Sequence, residues 1–265
     1  MIAGQGVEVV DVHHHIGAQS GINPDGSYGA ADILADMDAN GVAQTVAMHF
    51  VSALRTEDAF SRANELVVEA VEKDPSRLFG AVVVSPFFEG TALRDIDTCQ
   101  QAGFRMVKLH PLHHGNYSLN DGLVDRIVER SGSLGMPVLI HSDSSSAICS
   151  PHEVASLARR FPETDFILAH LGLHPDHIKR VPEIVADLPN VYLDTAQTPD
   201  YPFDVYVRPC RVLGSDRVLF GSDGPECSVS LNLRKAEMAM SEGLTLEDLR
   251  QVLGGNAKRL LRLPS

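Results

Sequence analysis

The chain contains no tryptophan, and only 6% of its 265 residues are aromatic. Its four cysteines, Cys99, Cys149, Cys210 and Cys227, lie far apart and never form a CxxC pair. That spacing excludes a zinc ribbon and a redox dithiol, and reduced thiols are the expectation. No apolar run approaches the ~18–20 residues that a membrane-spanning helix needs. The opening Met1-Ile-Ala-Gly-Gln-Gly has neither the basic nor the apolar region of a secretory signal. A cytoplasmic protein with no membrane role is therefore expected. Basic residues are scarce as well: 22 Lys and Arg against 35 Asp and Glu give a formal net charge of -13. A field of that sign repels phosphate backbones and argues against nucleic acid as a partner. No linker, low-complexity stretch or charge block divides the chain, so residues 1–265 read as one domain.

What the chain does have is a regular alternation of short apolar runs and longer amphipathic segments. The runs are Val7–Val12, Gln44–Phe50, Leu78–Val84, Arg105–Leu109, Pro137–Ile140, Phe166–Ala169, Val191–Leu193 and Val218–Phe220. They show little period-2 alternation, as expected of parallel strands buried on both faces. Helical patterns lie between them: Ala30–Asn40, Glu57–Lys73, Leu93–Ala102, Leu123–Leu134, Val154–Arg160, His177–Asp187 and Phe203–Leu213. Leu231–Glu242, Leu246–Leu253 and Ala257–Leu261 follow the last run. Eight strand–helix units in this length fit one α/β domain of the (β/α)8 barrel type, ahead of an open doubly wound sheet. The polar, Gly-rich segment Gly17–Gly29 reads as a loop after the first strand.

Histidine is abundant, with 12 in the chain. Barrel enzymes carry their chemistry at the C-terminal strand ends. Six histidines fall there, His13, His15, His49, His110, His141 and His170, where chance would put about one. Residues i and i+2 of a strand share a face, so His13 and His15 can both enter the barrel mouth while His14 turns away. Two imidazoles on one strand can chelate one ion; His141 could add a third nitrogen and Asp223 a carboxylate. His113, His114, His152, His174 and His177 read as surface residues, His174 being the best exception because it follows the sixth strand directly. Arg55 and Arg208 could face a substrate carboxylate, but surface placement is the better reading.

The ordered segments VVDVHHHIG, FRMVKLHP, MPVLIHS, FILAHLG, NVYLDTA, RVLFGSDGP and LGGNAKRLL resemble the amidohydrolase superfamily, most closely its amidohydrolase-2 branch. The resemblance runs from residue 7 to residue 261. It implies a distorted TIM barrel that holds a divalent metal ion, commonly zinc, with His13, His15, His141 and Asp223 as ligands. It also implies that His170 orients or deprotonates the metal-bound water. Relatives with two metals bridge them by a carboxylated lysine or a glutamate at the fourth strand, where this chain has Lys108 and His110. One metal is the expectation, with Lys108 and His110 on the substrate side. A carboxylated Lys108 bridging a second ion is the alternative.

The expected activity is hydrolysis of a small-molecule ester, lactone or amide by metal-activated water, with Asp223 or His170 moving the proton. The alternative is non-oxidative decarboxylation of a small carboxylic acid. A third reading is a barrel that binds metal or metabolite without turnover; it predicts a lost ligand, and none is missing. Metal-dependent DNases also open with HxH but expect a glutamate near the fourth strand end, which FRMVKLHP lacks. A homodimer is compatible with the fold, although no segment marks an interface.

Overall fold

The computed structural model describes residues 6–17, 28–51, 56–175, 177–199, 201 and 203–264. The first five residues, Arg55 and positions 18–27 of the expected first loop lie outside them. Eight parallel strands follow one another round a single sheet in chain order. They are β1 (Val9–Ile16), β2 (Val42–His49), β3 (Leu78–Val83), β4 (Phe104–Leu109), β5 (Val138–Ile140), β6 (Phe166–Leu168), β7 (Val191–Asp194) and β8 (Val218–Leu219). The sheet closes where the Val12 N–H donates to the Phe220 carbonyl at 3.0 Å and the Asp223 N–H to the His13 carbonyl at 2.8 Å. The result is a (β/α)8 barrel, distorted where β5 and β6 have three residues each and β8 two.

Two apolar layers follow from strand alternation. Inside, Val10, Val12, Val46, Phe79, Met106 and Leu139 belong to a cluster that also takes in Ile167 and Leu219. Outside, residues of the opposite parity such as Val82, Val107, Val138 and Leu193 pack in a second cluster that includes helix side chains. Stepping by two from the inner positions, Met106 leads to Lys108 and His110, and Leu139 leads to His141. Parity alone therefore carries these polar side chains to the barrel mouth.

β1 breaks the alternation. Asp11 pairs with Thr45 and His14 with Ala47, so β1 spends one more residue than β2 between these rungs. Such a bulge re-aims the side chains that follow it. Val10 and Val12 face inward before it, and His13 and His15 face inward after it. Asp11 and His14 share the other side.

The helices are α1 (Ala30–Asn40), α2 (Glu57–Val71), α3 (Glu89–Gln101), α4 (Asp125–Ser133), α5 (Pro151–Arg160), α6 (Val181–Ile184), α7 (Arg208–Leu213), α8 (Val229–Ser241), α9 (Leu246–Arg250) and α10 (Asn256–Leu261). α2 buries Phe60, Ala63, Val67, Ala70 and Val71 on one stripe. α1 stops at Gly41, whose φ of 69° suits a residue without Cβ. α5 begins at Pro151 with Ser150 Oγ accepting from the Glu153 N–H. Two expected long helices are broken. His177–Asp187 becomes the 3-10 turn Ile178–Arg180 followed by α6, and Phe203–Leu213 becomes a π-turn followed by α7. Pro182 and Pro209 each remove the N–H that would continue a regular helix there. Among the described residues no helix is long and apolar enough to cross a membrane. Cys99, Cys149, Cys210 and Cys227 are all unpaired.

Candidate active site

The side chains at the strand ends enclose a cavity of about 300 Å³ at the barrel mouth. His13, His15, Lys108, His110, His141, His170 and Asp223 all line it, so all seven expected site residues meet in one place.

At its foot, Asp223 Oδ1 lies 3.0 Å from His15 Nε2 and 3.3 Å from His13 Nε2. The other nitrogen of His13, Nδ1, meets Asp194 Oδ2 at 2.8 Å. That contact fixes Nδ1 as the protonated nitrogen and leaves Nε2 as a lone-pair donor, the usual arrangement behind a metal-bound histidine. His13, His15 and Asp223 offer ligand atoms within 4.8 Å of one another, all buried. Two imidazole nitrogens and a carboxylate converging in this way fit a divalent cation such as zinc or manganese.

A second close group, His13 with His170 and Asp194, is better read as hydrogen bonding. Asp194 Oδ1 accepts from the His170 N–H at 2.7 Å and the Ala196 N–H at 3.2 Å, while Oδ2 faces His13. The carboxylate is therefore occupied as a clamp. His141, the fourth expected ligand, belongs to neither group. Its ring lies 5.0 Å from that of His170 and stacks on His110 at 3.9 Å, on the adjacent wall.

Burial sets the charge states. It holds His13, His110 and His141 well below the usual imidazole range and lowers His170 to about 4. These rings are neutral at pH 7, with lone pairs available to a cation. Lys108, only 3% exposed, is pushed down to about 8 by burial against the pull of Asp223 and Asp194. Its Nζ is 3.2 Å from His13 Nε2. Burial raises Asp194 to about 6, opposed by His170. Burial would also raise Asp223, but His13 and the hydrogen bond with His15 hold it well below the usual carboxylate range.

Strain marks the same residues. His170, Gln197 and Asp223 have φ of 63°, 48° and 62°, in the left-handed region that such side chains rarely adopt. All three line the cavity, and strain of this kind concentrates at functional sites.

Asp11 went unrecognised in the sequence although it ties the ends of β1 and β8 together. Its Oδ1 accepts from the His13 N–H at 3.1 Å and the Ser222 N–H at 2.9 Å. Its Oδ2 accepts from Ser222 Oγ at 2.5 Å and faces His14 Nδ1 at 3.1 Å. His14 continues outward to the Tyr28 hydroxyl at 3.0 Å, which donates to Asp36 at 2.6 Å. At Gly224, beside this ring, a Cβ would sit 2.4 Å from His14, so the close approach requires glycine. Gln197 and Glu226 were likewise not singled out.

The remaining histidines divide. His113 is exposed and lines the cavity; His152 and His177 are exposed, and His174 stacks on His177 at 4.6 Å. His49 closes over Gly17, away from the cavity. His114 corrects the surface expectation. It is 2% exposed, its Nε2 lies 3.1 Å from the Val51 carbonyl, and its ring packs edge-on against Phe60. Arg208 pairs with Glu183 and the Lys179 carbonyl, so it is engaged at the surface.

Comparison with known proteins adds three kinds of finding. The amidohydrolase family model matches residues 10–263. No curated protein matches the sequence. Among solved structures, the chain is similar to 5-carboxyvanillate decarboxylase from Novosphingobium aromaticivorans, solved with manganese and 4-hydroxy-3-methoxy-5-nitrobenzoic acid. The TM-score is 0.80 at 17% identity, over 98% of this chain and 97% of that one. It is also similar to 2,6-dihydroxybenzoate decarboxylase from Rhizobium, with a TM-score of 0.73 at 16% identity over 97% and 99%. A probable 2-pyrone-4,6-dicarboxylic acid hydrolase from Acinetobacter baumannii gives 0.73 at 15% identity over 96% and 99%. At these identities the likeness concerns the fold.

Proposed function

The chain belongs to the amidohydrolase family, and on that footing we propose that it is a metal-dependent, non-oxidative decarboxylase of a small carboxylic acid. The observation that carries this reading is Lys108, a buried amine beside the donor set at the foot of the cavity. An ammonium there suits a substrate that enters as a carboxylate rather than a neutral ester or lactone, although a lactone that itself bears carboxylates would satisfy it equally. The similarity to two decarboxylases of aromatic acids supports the same choice.

His13, His15 and Asp223 would hold the cation, with His141 on the adjacent wall as the fourth expected ligand. When bound, a divalent ion supplies Lewis-acid polarisation of a substrate oxygen. Zinc is the expected ion, and the manganese in a similar structure makes that metal the first comparison. Lys108 pairs with the substrate carboxylate. His170 gives its Nδ1 to the Ala196 carbonyl at 3.2 Å, so Nε2 is the basic nitrogen of a cavity-lining ring. On an aromatic acid with a hydroxyl ortho to the carboxylate, His170 Nε2 takes the hydroxyl proton and returns it to the carbon bearing the carboxylate. The carbon–carbon bond then breaks, its electron pair restores the aromatic ring as a phenolate, CO2 leaves, and the phenolate takes a proton from solvent.

Hydrolysis is the second reading, favoured by the similarity to the pyrone hydrolase. Asp223 and His170 would then move the proton of the attacking water. The test is the metal-loaded protein on 2,6-dihydroxybenzoate, 5-carboxyvanillate and 2-pyrone-4,6-dicarboxylate, with CO2 and acid release measured side by side. CO2 from a benzoate is expected. Acid release from the pyrone with no CO2 from either benzoate overturns the reading. A metal-to-protein ratio near two rather than one would assign Lys108 to a carboxylated bridge instead of a carboxylate anchor.

A further inference from the structure

A second cavity, of about 220 Å³, lies outside the barrel mouth and shares no lining residue with it. Residues 170–173, four in succession with positive φ, run between the two. His170 and Leu173 line the mouth. Gly172 packs toward the other side. A Cβ there would come within 2.6 Å of Ser144 Oγ, 2.8 Å of Pro151 Cγ and 3.2 Å of Val181 Cγ2, and all three residues line the second cavity. The close approach requires glycine and makes this segment the wall between the cavities.

Hydrogen-bond donors gather in the second cavity. The Arg180 N–H donates to the His177 carbonyl at 2.9 Å, closing the 3-10 turn Ile178–Arg180. Positions i and i+3 of such a turn eclipse, so both side chains come to one side and both line the cavity. Stacking on His174 orients the His177 ring further. His152, in the first turn of α5, and Ser150, its cap, add an imidazole and a hydroxyl. Ser150 Oγ accepts from the Glu153 N–H, which leaves its own hydrogen to donate. Ser144 Oγ is buried with no hydrogen-bond partner among the described residues, a state that a buried hydroxyl rarely keeps. Among the described residues no Asp or Glu lines this cavity. Neighbouring cations are engaged, Lys179 by Asp204 and Arg208 by Glu183, whereas Arg180 has no ion pair among the described residues.

A guanidinium, two imidazoles and two hydroxyls without a carboxylate fit an oxyanion, the guanidinium supplying the charge. The donors arrive from three segments: the loop with Ser144, the start of α5 and the turn at Arg180. That suits an anion with oxygens in several directions better than a planar carboxylate. The volume is below the ~300 Å³ at which pockets for drug-sized ligands begin, so the anion is small. We propose that this cavity is a second binding site, independent of the chemistry at the mouth, for a small tetrahedral oxyanion of the phosphate or sulfate kind.

The test is a titration of the protein, its histidine rings labelled with 15N, with sodium sulfate and with sodium chloride at matched ionic strength. His152→Gln and His177→Gln assign the two ring signals. Sulfate is expected to shift both signals to saturation and chloride to leave them in place. Arg180→Glu, at an exposed position, should weaken sulfate binding by about tenfold or more, the scale of one hydrogen bond to a charged group. Arg180→Lys, which keeps the charge and loses the fork, should fall between the two. Equal shifts with chloride overturn the proposal, since screening alone would explain them. So does undiminished sulfate affinity in Arg180→Glu, or the absence of any shift at His152 and His177. The titration is run on zinc-loaded and on metal-free protein, and the same affinity is expected in both. A sulfate response that needs the metal places the anion at the mouth and overturns the second site; failure of the protein to take up zinc bears only on the reading of the mouth.

Discussion

Acid should destabilise this fold through His114 by an amount that can be worked out in advance. The ring is buried, packs against Phe60, and lies 3.1 Å from the Val51 carbonyl through Nε2. Burial and then the charge of Lys108 lower its pKa from 6.5 to about 3. Because the folded value lies below the unfolded one, the unfolded chain binds more protons between them. Stability from this group is therefore complete above pH 6.5 and is lost as the pH falls toward 3. At pH 5 the unfolded chain is about 1.5 units below its pKa while the folded ring is still neutral, a cost of about 2 kcal/mol. His114→Gln removes the titrating group and keeps an N–H that can reach the Val51 carbonyl. Urea unfolding at pH 7.5 and pH 5, with chelator present to keep bound metal from contributing, should show a pH-dependent loss about 2 kcal/mol smaller in the variant. An identical loss in the two proteins refutes the assignment.

Two further predictions concern the donor set. Asp194→Asn keeps an acceptor for the His170 and Ala196 N–H groups but can place an amide N–H against His13 Nδ1. That contact favours the tautomer with Nε2 protonated, which cannot ligate, so manganese or zinc affinity should fall by about 10–100-fold in a chelator competition titration; an unchanged Kd removes Asp194 from the positioning role. Metal removal should lower the Tm and re-addition restore it, with about 3 kcal/mol of stabilisation when free metal is a hundredfold above its Kd. His13→Ala and Asp223→Ala should show neither the shift nor turnover, and a normal metal-dependent shift in Asp223→Ala would exclude it as a ligand.

The barrel was legible because its strands are short, apolar and regularly spaced, and because alternation within β4 and β5 carries Lys108, His110 and His141 into the mouth. The HxH pair was legible for its shared face, but which face it takes rests on the bulge between Asp11 and His14. Strict alternation from the inward Val10 and Val12 would have sent His14 into the cavity and His13 and His15 out of it. Nothing in VVDVHHHI marks that extra residue, since every side chain of the strand is buried. The clamps were illegible for a related reason. Asp11 meets Ser222 across 211 positions and His13 meets Asp194 across 181, so their roles arise only when the barrel closes. Both carboxylates hold donor-set residues from behind. The residue types that gather in the barrel mouth and their rough location can therefore be read along the chain, whereas ring orientation and tautomer come from the closed barrel.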